Sequence, residues 1–323
     1  MNILAVYKTF KGHEFAAASL QSIYPFVSGV LYLHSDISWT GRRQGNTVRE
    51  IIQALPDPDK KVEHVTLDDE INHQDDQYNY AIECVKKSEK NIDYILLLDT
   101  DEILPAEDFK RALPQLEALL RDTKSPDQCA KCLQYEYIKS PYYRVHPIRD
   151  GYKPTLFVLG RAIKKDALRL KGVFIPGRLL ENVYLHHLVM VRNSLTENIE
   201  KQIDTCAVEK EPMIDIEKWI KDKWNKIPAC SDFWMQTNDA RYWPGLETIE
   251  LSNLPAILHD HPIVKAWGAY TTAKYPYIGN DRIPIELFEK FGLPRDFGPA
   301  HPDWNVPSKR NRYNKVMAEA ALR

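Results

Sequence analysis

No run of about 18 apolar residues occurs in this chain of 323 positions, which excludes a simple membrane-spanning helix. Net charge is nearly absent as well: 43 Lys and Arg against 45 Asp and Glu leave a formal charge of −2. No global field therefore draws the protein to nucleic acid or to an anionic membrane. A large DNA footprint needs clustered Lys and Arg, so nucleic acid is disfavoured as a partner, although a local patch is not ruled out. The start lacks a basic n-region and a cleavage site, and Asn2-Ile3-Leu4-Ala5-Val6 reads instead as a first strand. The expectation is a cytoplasmic protein without a signal peptide. Cysteine is scarce and odd in number (Cys84, Cys129, Cys132, Cys206 and Cys230), which fits a reducing compartment and not a disulfide framework. Cys129 and Cys132 have zinc-knuckle or redox spacing, but no second pair matches them, so they read as plain thiols. Internal repeats and low-complexity tracts are missing too.

What is present is a globular composition, 44% hydrophobic and 27% charged, with room for one large α/β domain and an extension. Through the first half, strand and helix patterns alternate. Strands are predicted at Ile3 to Lys8, Gly29 to His34, Val62 to Leu67 and from Tyr94. Helices are predicted at Glu14 to Tyr24, Thr47 to Leu55, Asp76 to Ser88 and Ala106 to Arg121. Strict alternation predicts a mostly parallel sheet covered by helices. From Cys132 the pattern shifts to strands: Leu133 to Ile138, Thr155 to Arg161 and Val183 to Val191. Beyond Leu195 the chain holds Trp219, Trp224, Trp234, Trp243 and Trp267 among scattered prolines. This reads as a helical and looping C-terminal extension over 193–323, packed on a first domain of residues 1–192. Its basic aromatic stretch from Lys218 to Lys226 reads as a surface helix whose tryptophans seal against that domain, and His259-Asp260-His261 as a loop.

The most informative stretch is Tyr94-Ile-Leu-Leu-Leu-Asp-Thr-Asp-Glu-Ile103. An apolar run without alternation is the signature of a strand buried on both faces. It ends in Asp99, Asp101 and Glu102, at the carboxyl end of a strand, where open α/β sheets bind ligands. Alternation points Asp99 and Asp101 to one side. Two hard oxygen ligands there suit Mg²⁺ or Mn²⁺ that also grips a phosphate.

In order along the chain, these features resemble a GT-A glycosyltransferase of the family 2-like group. The first strand leads to Thr9-Phe10-Lys11 and Glu14, similar to the family's opening around the nucleotide base. His34-Ser35-Asp36 resembles the loop whose acid meets base or ribose. Gln77, with Asn79 and Tyr80, opens the helix before the metal strand, and Asp99-Thr100-Asp101-Glu102 stands as the DxD motif. Tyr184-Leu-His-His-Leu-Val-Met-Val-Arg192 resembles the late strand whose histidine completes the metal site, with His187 the better match and His186 the runner-up. The resemblance covers roughly residues 1 to 192.

It implies a GT-A fold and transfer of a hexosyl or pentosyl group, with inversion, from a nucleotide sugar (a UDP-sugar first among donors) to a hydroxyl. Asp101 would be the main ligand of Mn²⁺ or Mg²⁺, Asp99 would hold ribose or a metal-bound water, and Thr9, Phe10, Glu14, Asp36, Gln77 and Thr100 would line the nucleotide. A carboxylate base is needed for a neutral acceptor hydroxyl; Glu181, just before the histidine strand, is the first choice and Asp150 the more distant one. Lys8, Lys11 or Arg192 would neutralise the diphosphate. The acceptor (glycan, lipid-linked sugar, protein or modified nucleobase) is not legible, though the Trp-rich extension suits its side of the site. Two rivals remain open. An apolar strand ending in Asp-x-Asp is also the nucleophile motif of HAD-type phosphohydrolases, although its usual order along the chain differs. A GT-A-like module that binds a nucleotide sugar or glycan without turnover is the other.

Overall fold

A computed structural model describes residues 1–38, 47–71, 73–87, 91–145, 155–163, 177–194 and 246–271, with single positions 41, 43, 45, 197, 198 and 224. Four parallel strands form its centre: β1 (Ile3–Thr9), β2 (Gly29–His34), β3 (Val62–Thr66) and β4 (Tyr94–Asp99), in the order β4-β1-β2-β3. Tyr94 to Leu98 are all buried, as a strand covered on both faces requires. Each such side chain contributes roughly 1.5–3 kcal/mol of burial.

Helices α1 (Ala16–Ile23), α2 (Thr47–Gln53), α3 (Gln74–Lys87) and α4 (Ala106–Arg121) alternate with the strands. Helix α4 shows why: Phe109, Ala112, Leu116 and Leu119 are buried at spacings of three and four, one stripe of a helix. Glu107 and Asp108 in the first turn suit its positive end.

Beyond β4 the sheet is mixed. The short β5 (Glu102–Ile103), β6 (Cys129–Ile138), β7 (Tyr143–Val145) and β8 (Thr155–Leu159) are followed by the four-residue helix α5 (Gly160–Ile163) and by β9 (Gly177–Met190). Strand β8 runs antiparallel between β4 and β6; β9 pairs parallel with β6 and antiparallel with β5. The sequence pattern locates β9 but starts it later, at Val183; the structure extends it back through an irregular stretch containing Asn182 at φ 55.

The described part of the C-terminal region joins this frame directly. Strand β10 (Leu246–Thr248) pairs with β7, and α6 (Pro262–Thr271) follows two 3-10 turns. Ile249, Leu254, Leu258, Ile263 and Val264 share a core with Phe15, Ile103, Tyr137, Leu188 and Val191. Among the described residues no helix is long and apolar enough to cross a membrane.

Candidate active site

The end of β4, the turn after β1 and the end of β9 converge. Lys11 and Gly12 both have positive φ (57 and 78), which turns the chain sharply after β1. A Cβ on Gly12 would sit 3.0 Å from Thr100 Oγ1 and 3.5 Å from both Arg192 Nη2 and the Asp101 carboxyl carbon. Glycine is thus required both for the backbone and for the close approach. Thr100 Oγ1 donates to the Lys11 carbonyl at 3.2 Å, tying the two turns together.

Strand β5 carries Glu102 opposite His187 of β9, and β6 carries Glu136 opposite the same histidine. Alternation then decides the faces. His187 points at the acids, with Nε2 at 3.7 Å from Asp101 Oδ1. His186 points the other way, where it is buried and its Nδ1 meets the Tyr137 hydroxyl at 2.7 Å. Burial lowers its pKa to about 3. His186 therefore does not join the acids, and its place as runner-up ligand is corrected.

One ligand atom each from Asp99, Asp101 and His187 lie within 4.8 Å of one another. The 3.7 Å separation is too long for a hydrogen bond. Two ligands about 2.1 Å from one ion lie about 3.0 Å apart at a right angle and farther apart at wider angles. Two carboxylates and an imidazole at this spacing fit a divalent cation.

Both acids also have cationic neighbours. Lys8 Nζ lies 2.9 Å from Asp99 Oδ2, and the Tyr78 hydroxyl donates to Asp99 Oδ1 at 3.1 Å. Arg192, whose side chain is 1% exposed, pairs with Asp101 Oδ2 and leaves Oδ1 facing His187. Its Nη1 donates to the Leu188 and Val191 carbonyls at 2.9 and 2.6 Å, which fixes it in place. The sequence reading sets Lys8 and Arg192 against a diphosphate; the structure puts each on one acid of the pair. Glu102 Oε2 accepts the Asp99 backbone N–H at 2.8 Å. Burial first, and then the Asp99 charge, push the Glu102 carboxyl well above the usual range.

The remaining expected residues divide. The Glu14 side chain, 7% exposed, places Oε1 at 3.8 Å from Arg192 Nε, so it belongs to the network behind Asp101. Thr9 is turned into the sheet, its hydroxyl on the Leu33 carbonyl and His34 Nδ1 at 3.0 and 2.9 Å. Thr100 Oγ1 is likewise engaged with the turn after β1. Asp36 pairs with Arg49 at the end of β2, and Gln77 is buried, its amide 3.4 Å from the Ile71 carbonyl. Phe10 flanks the turn and is half-buried.

Asp150 lies outside the described residues, as does most of the Lys218 to Lys226 stretch. Glu181 is exposed, and its backbone exchanges hydrogen bonds with the Gln115 side chain of α4 at 2.8 and 3.0 Å. It precedes His187 by six positions of β9, roughly 15–20 Å along a strand with an irregularity. The fold does not bring it to the acids.

Two residues that sequence reasoning missed do sit there. Gln134 and Glu136 lie on the His187 side of β6, 5% and 7% exposed. Gln134 Nε2 is 2.6 Å from His187 Nδ1. The available signal was Gln134 and Glu136 at alternate positions between Leu133, Tyr135 and Tyr137.

No protein-family model matches the chain, and no curated protein matches it significantly. Among solved structures, TarS from S. aureus is 12% identical with a TM-score of 0.35, covering 53% of this chain and 30% of that one. Against the TarS 1-349 structure the values are 10% and 0.38, with 100% and 92% coverage. An inositol-1-phosphate CTP transferase from T. maritima gives 9% and 0.31, with 62% and 97% coverage. The chain thus spans less than a third of the longer TarS structure. At TM-scores of 0.31 to 0.38, these likenesses decide neither fold family nor chemistry.

Proposed function

We propose that this chain is a metal-dependent glycosyltransferase of GT-A type, moving a sugar from a nucleotide-sugar donor, a UDP-sugar first, to a hydroxyl acceptor with inversion. The observation that carries the reading is the Asp99, Asp101 and His187 cluster at the carboxyl end of the central parallel strand. Ligands bind at that end of such sheets.

Asp99, Asp101 and His187 would hold a divalent cation, which would supply positive charge against the phosphate charge that grows as the sugar–diphosphate bond breaks. The chain's own residues prepare that place. Arg192 and Lys8 hold one oxygen of each acid, and Glu102 fixes the Asp99 backbone. The acceptor oxygen bonds to the anomeric carbon while its proton passes to a carboxylate, and the nucleoside diphosphate departs. Glu136 replaces Glu181 as the base, because it shares the face and the strand row of His187. Residues 1–192 form the donor half of a cytoplasmic enzyme, and 193–323 shape the acceptor side.

The test is donor hydrolysis across UDP-, GDP-, CMP- and dTDP-sugars with Mn²⁺, Mg²⁺ or EDTA. Release of one nucleotide, lost with EDTA and in Asp101→Ala, is expected. Phosphate release from simple monoesters instead would shift the reading to a phosphohydrolase, and binding without turnover to a lectin-like module. Absence of any metal-dependent donor binding by calorimetry would end the transferase reading.

A further inference from the structure

We infer that Gln134 is a positioning residue for His187, and that its carboxamide sets whether the imidazole Nε2 facing Asp101 carries the ring proton or the lone pair. The inference rests on the metal reading above. Gln134 is anchored on β6, 5% exposed, and one amide atom reaches His187 Nδ1 at 2.6 Å. Glu102 Oε1, at 4.0 Å from the same nitrogen, is outside hydrogen-bond reach.

The two ends of a carboxamide have nearly the same shape and opposite hydrogen-bonding roles. With the amide nitrogen toward Nδ1, Nδ1 must accept and the imidazole proton sits on Nε2, facing Asp101. A nitrogen in that state has no lone pair for a cation. The same orientation leaves Gln134 Oε1 buried without a hydrogen-bond partner, which is costly for a polar atom. Turned over, the side-chain carbonyl accepts Nδ1–H and Nε2 offers its lone pair toward Asp101 Oδ1, 3.7 Å away. An outer acceptor on a ligating histidine is how proteins commonly fix tautomer and ring orientation. An amide can serve both tautomers, whereas a carboxylate would enforce one. Gln134 therefore accommodates the histidine without the cation and orients it with the cation bound.

The experiment is calorimetric titration of the full chain with MnCl₂ and, separately, MgCl₂. Gln134→Met keeps the bulk and removes both polar atoms. It should weaken Mn²⁺ binding by about 10–100-fold. Mg²⁺ binding, which gains little from a nitrogen ligand, should change by less than about threefold. Gln134→Glu, a pure acceptor, should restore Mn²⁺ affinity. A measurement on the unaltered chain covers the case in which Met at this site does not fold. Nitrogen-15 imidazole spectra of the Zn²⁺-loaded protein should show His187 protonated on Nδ1.

Mn²⁺ affinity of Gln134→Met within twofold of wild type, while His187→Ala weakens it, would overturn the role of Gln134 and leave the metal site standing. If His187→Ala and Asp101→Ala also bind Mn²⁺ as wild type does, the metal reading fails, and the role of Gln134 with it.

Discussion

Replacing Arg192 by methionine removes the cation buried behind Asp101. The guanidinium is 1% exposed, pairs with Asp101, lies 3.8 Å from Glu14 and holds two main-chain carbonyls. Methionine fills much of the volume, so the loss is electrostatic and not a cavity. Two buried carboxylates are left without their countercharge, and breaking such a pair costs about 3–5 kcal/mol. For a chain of this size about 2–4 °C of melting temperature accompanies each kcal/mol, so a fall of about 6–20 °C is expected in EDTA. A divalent cation restores part of the missing charge, so saturating MnCl₂ should raise the melting temperature of Arg192→Met by more than it raises that of wild type. Circular-dichroism melts of both proteins, with EDTA and with MnCl₂, measure all four values. A variant that melts within about 2 °C of wild type in EDTA would refute the claim that Arg192 is the counter-ion of this buried network.

Glu136→Gln should cut turnover by about 10²–10⁴-fold, the range for a proton-transferring side chain, while Glu181→Gln should stay within about threefold of wild type; steady-state kinetics on the donor and acceptor found above separate the two. A Cβ on Gly160 would lie 1.9 Å from the Ile92 carbonyl oxygen. Gly160→Ala should therefore destabilise by about 1–3 kcal/mol or more, read from urea unfolding. Acid should weaken the fold through two buried imidazoles. Burial, then His64, holds His34 at about 4, and burial holds His186 at about 3, both below the ordinary 6.5. The folded chain keeps them neutral where the unfolded chain takes up protons. Their contribution is complete above about pH 6.5 and is lost as pH falls toward the folded values, by up to about 1.4 kcal/mol per unit for each. Melting curves between about pH 6.5 and 5 should show this slope, and His186→Gln should flatten it.

The parts of this site carried by local pattern were legible in the sequence. The unbroken apolar run of β4 announced a strand covered on both faces, and its acidic end marked the working edge of the sheet. The choice of His187 over His186 came from the family resemblance, by its distance from Val191 and Arg192; alternation says only that the two rings face opposite ways. What escaped notice depends on which strands lie side by side. Gln134 and Glu136 matter because β6 runs beside β9 in one register, a pairing between segments about 50 residues apart that no local period encodes. The same holds for Lys8 and Arg192, whose positive charge suggested a phosphate partner until the fold set them on Asp99 and Asp101. Glu181 was placed by its closeness in sequence to His187. In an extended strand, that closeness becomes distance.

The shared core of Phe15, Ile103 and Leu188 with Ile249, Leu258 and Val264 has a mechanical consequence. His261 reinforces it, stacking on Phe15 with ring centroids 4.5 Å apart and placing Nε2 2.8 Å from the Glu14 carbonyl. The described segment 249–264 is thus a buttress behind the very strands that aim the acids and the histidine. A shortened chain ending at 192 would keep every metal-site residue in its sequence and still lose the wall that holds them at working distance.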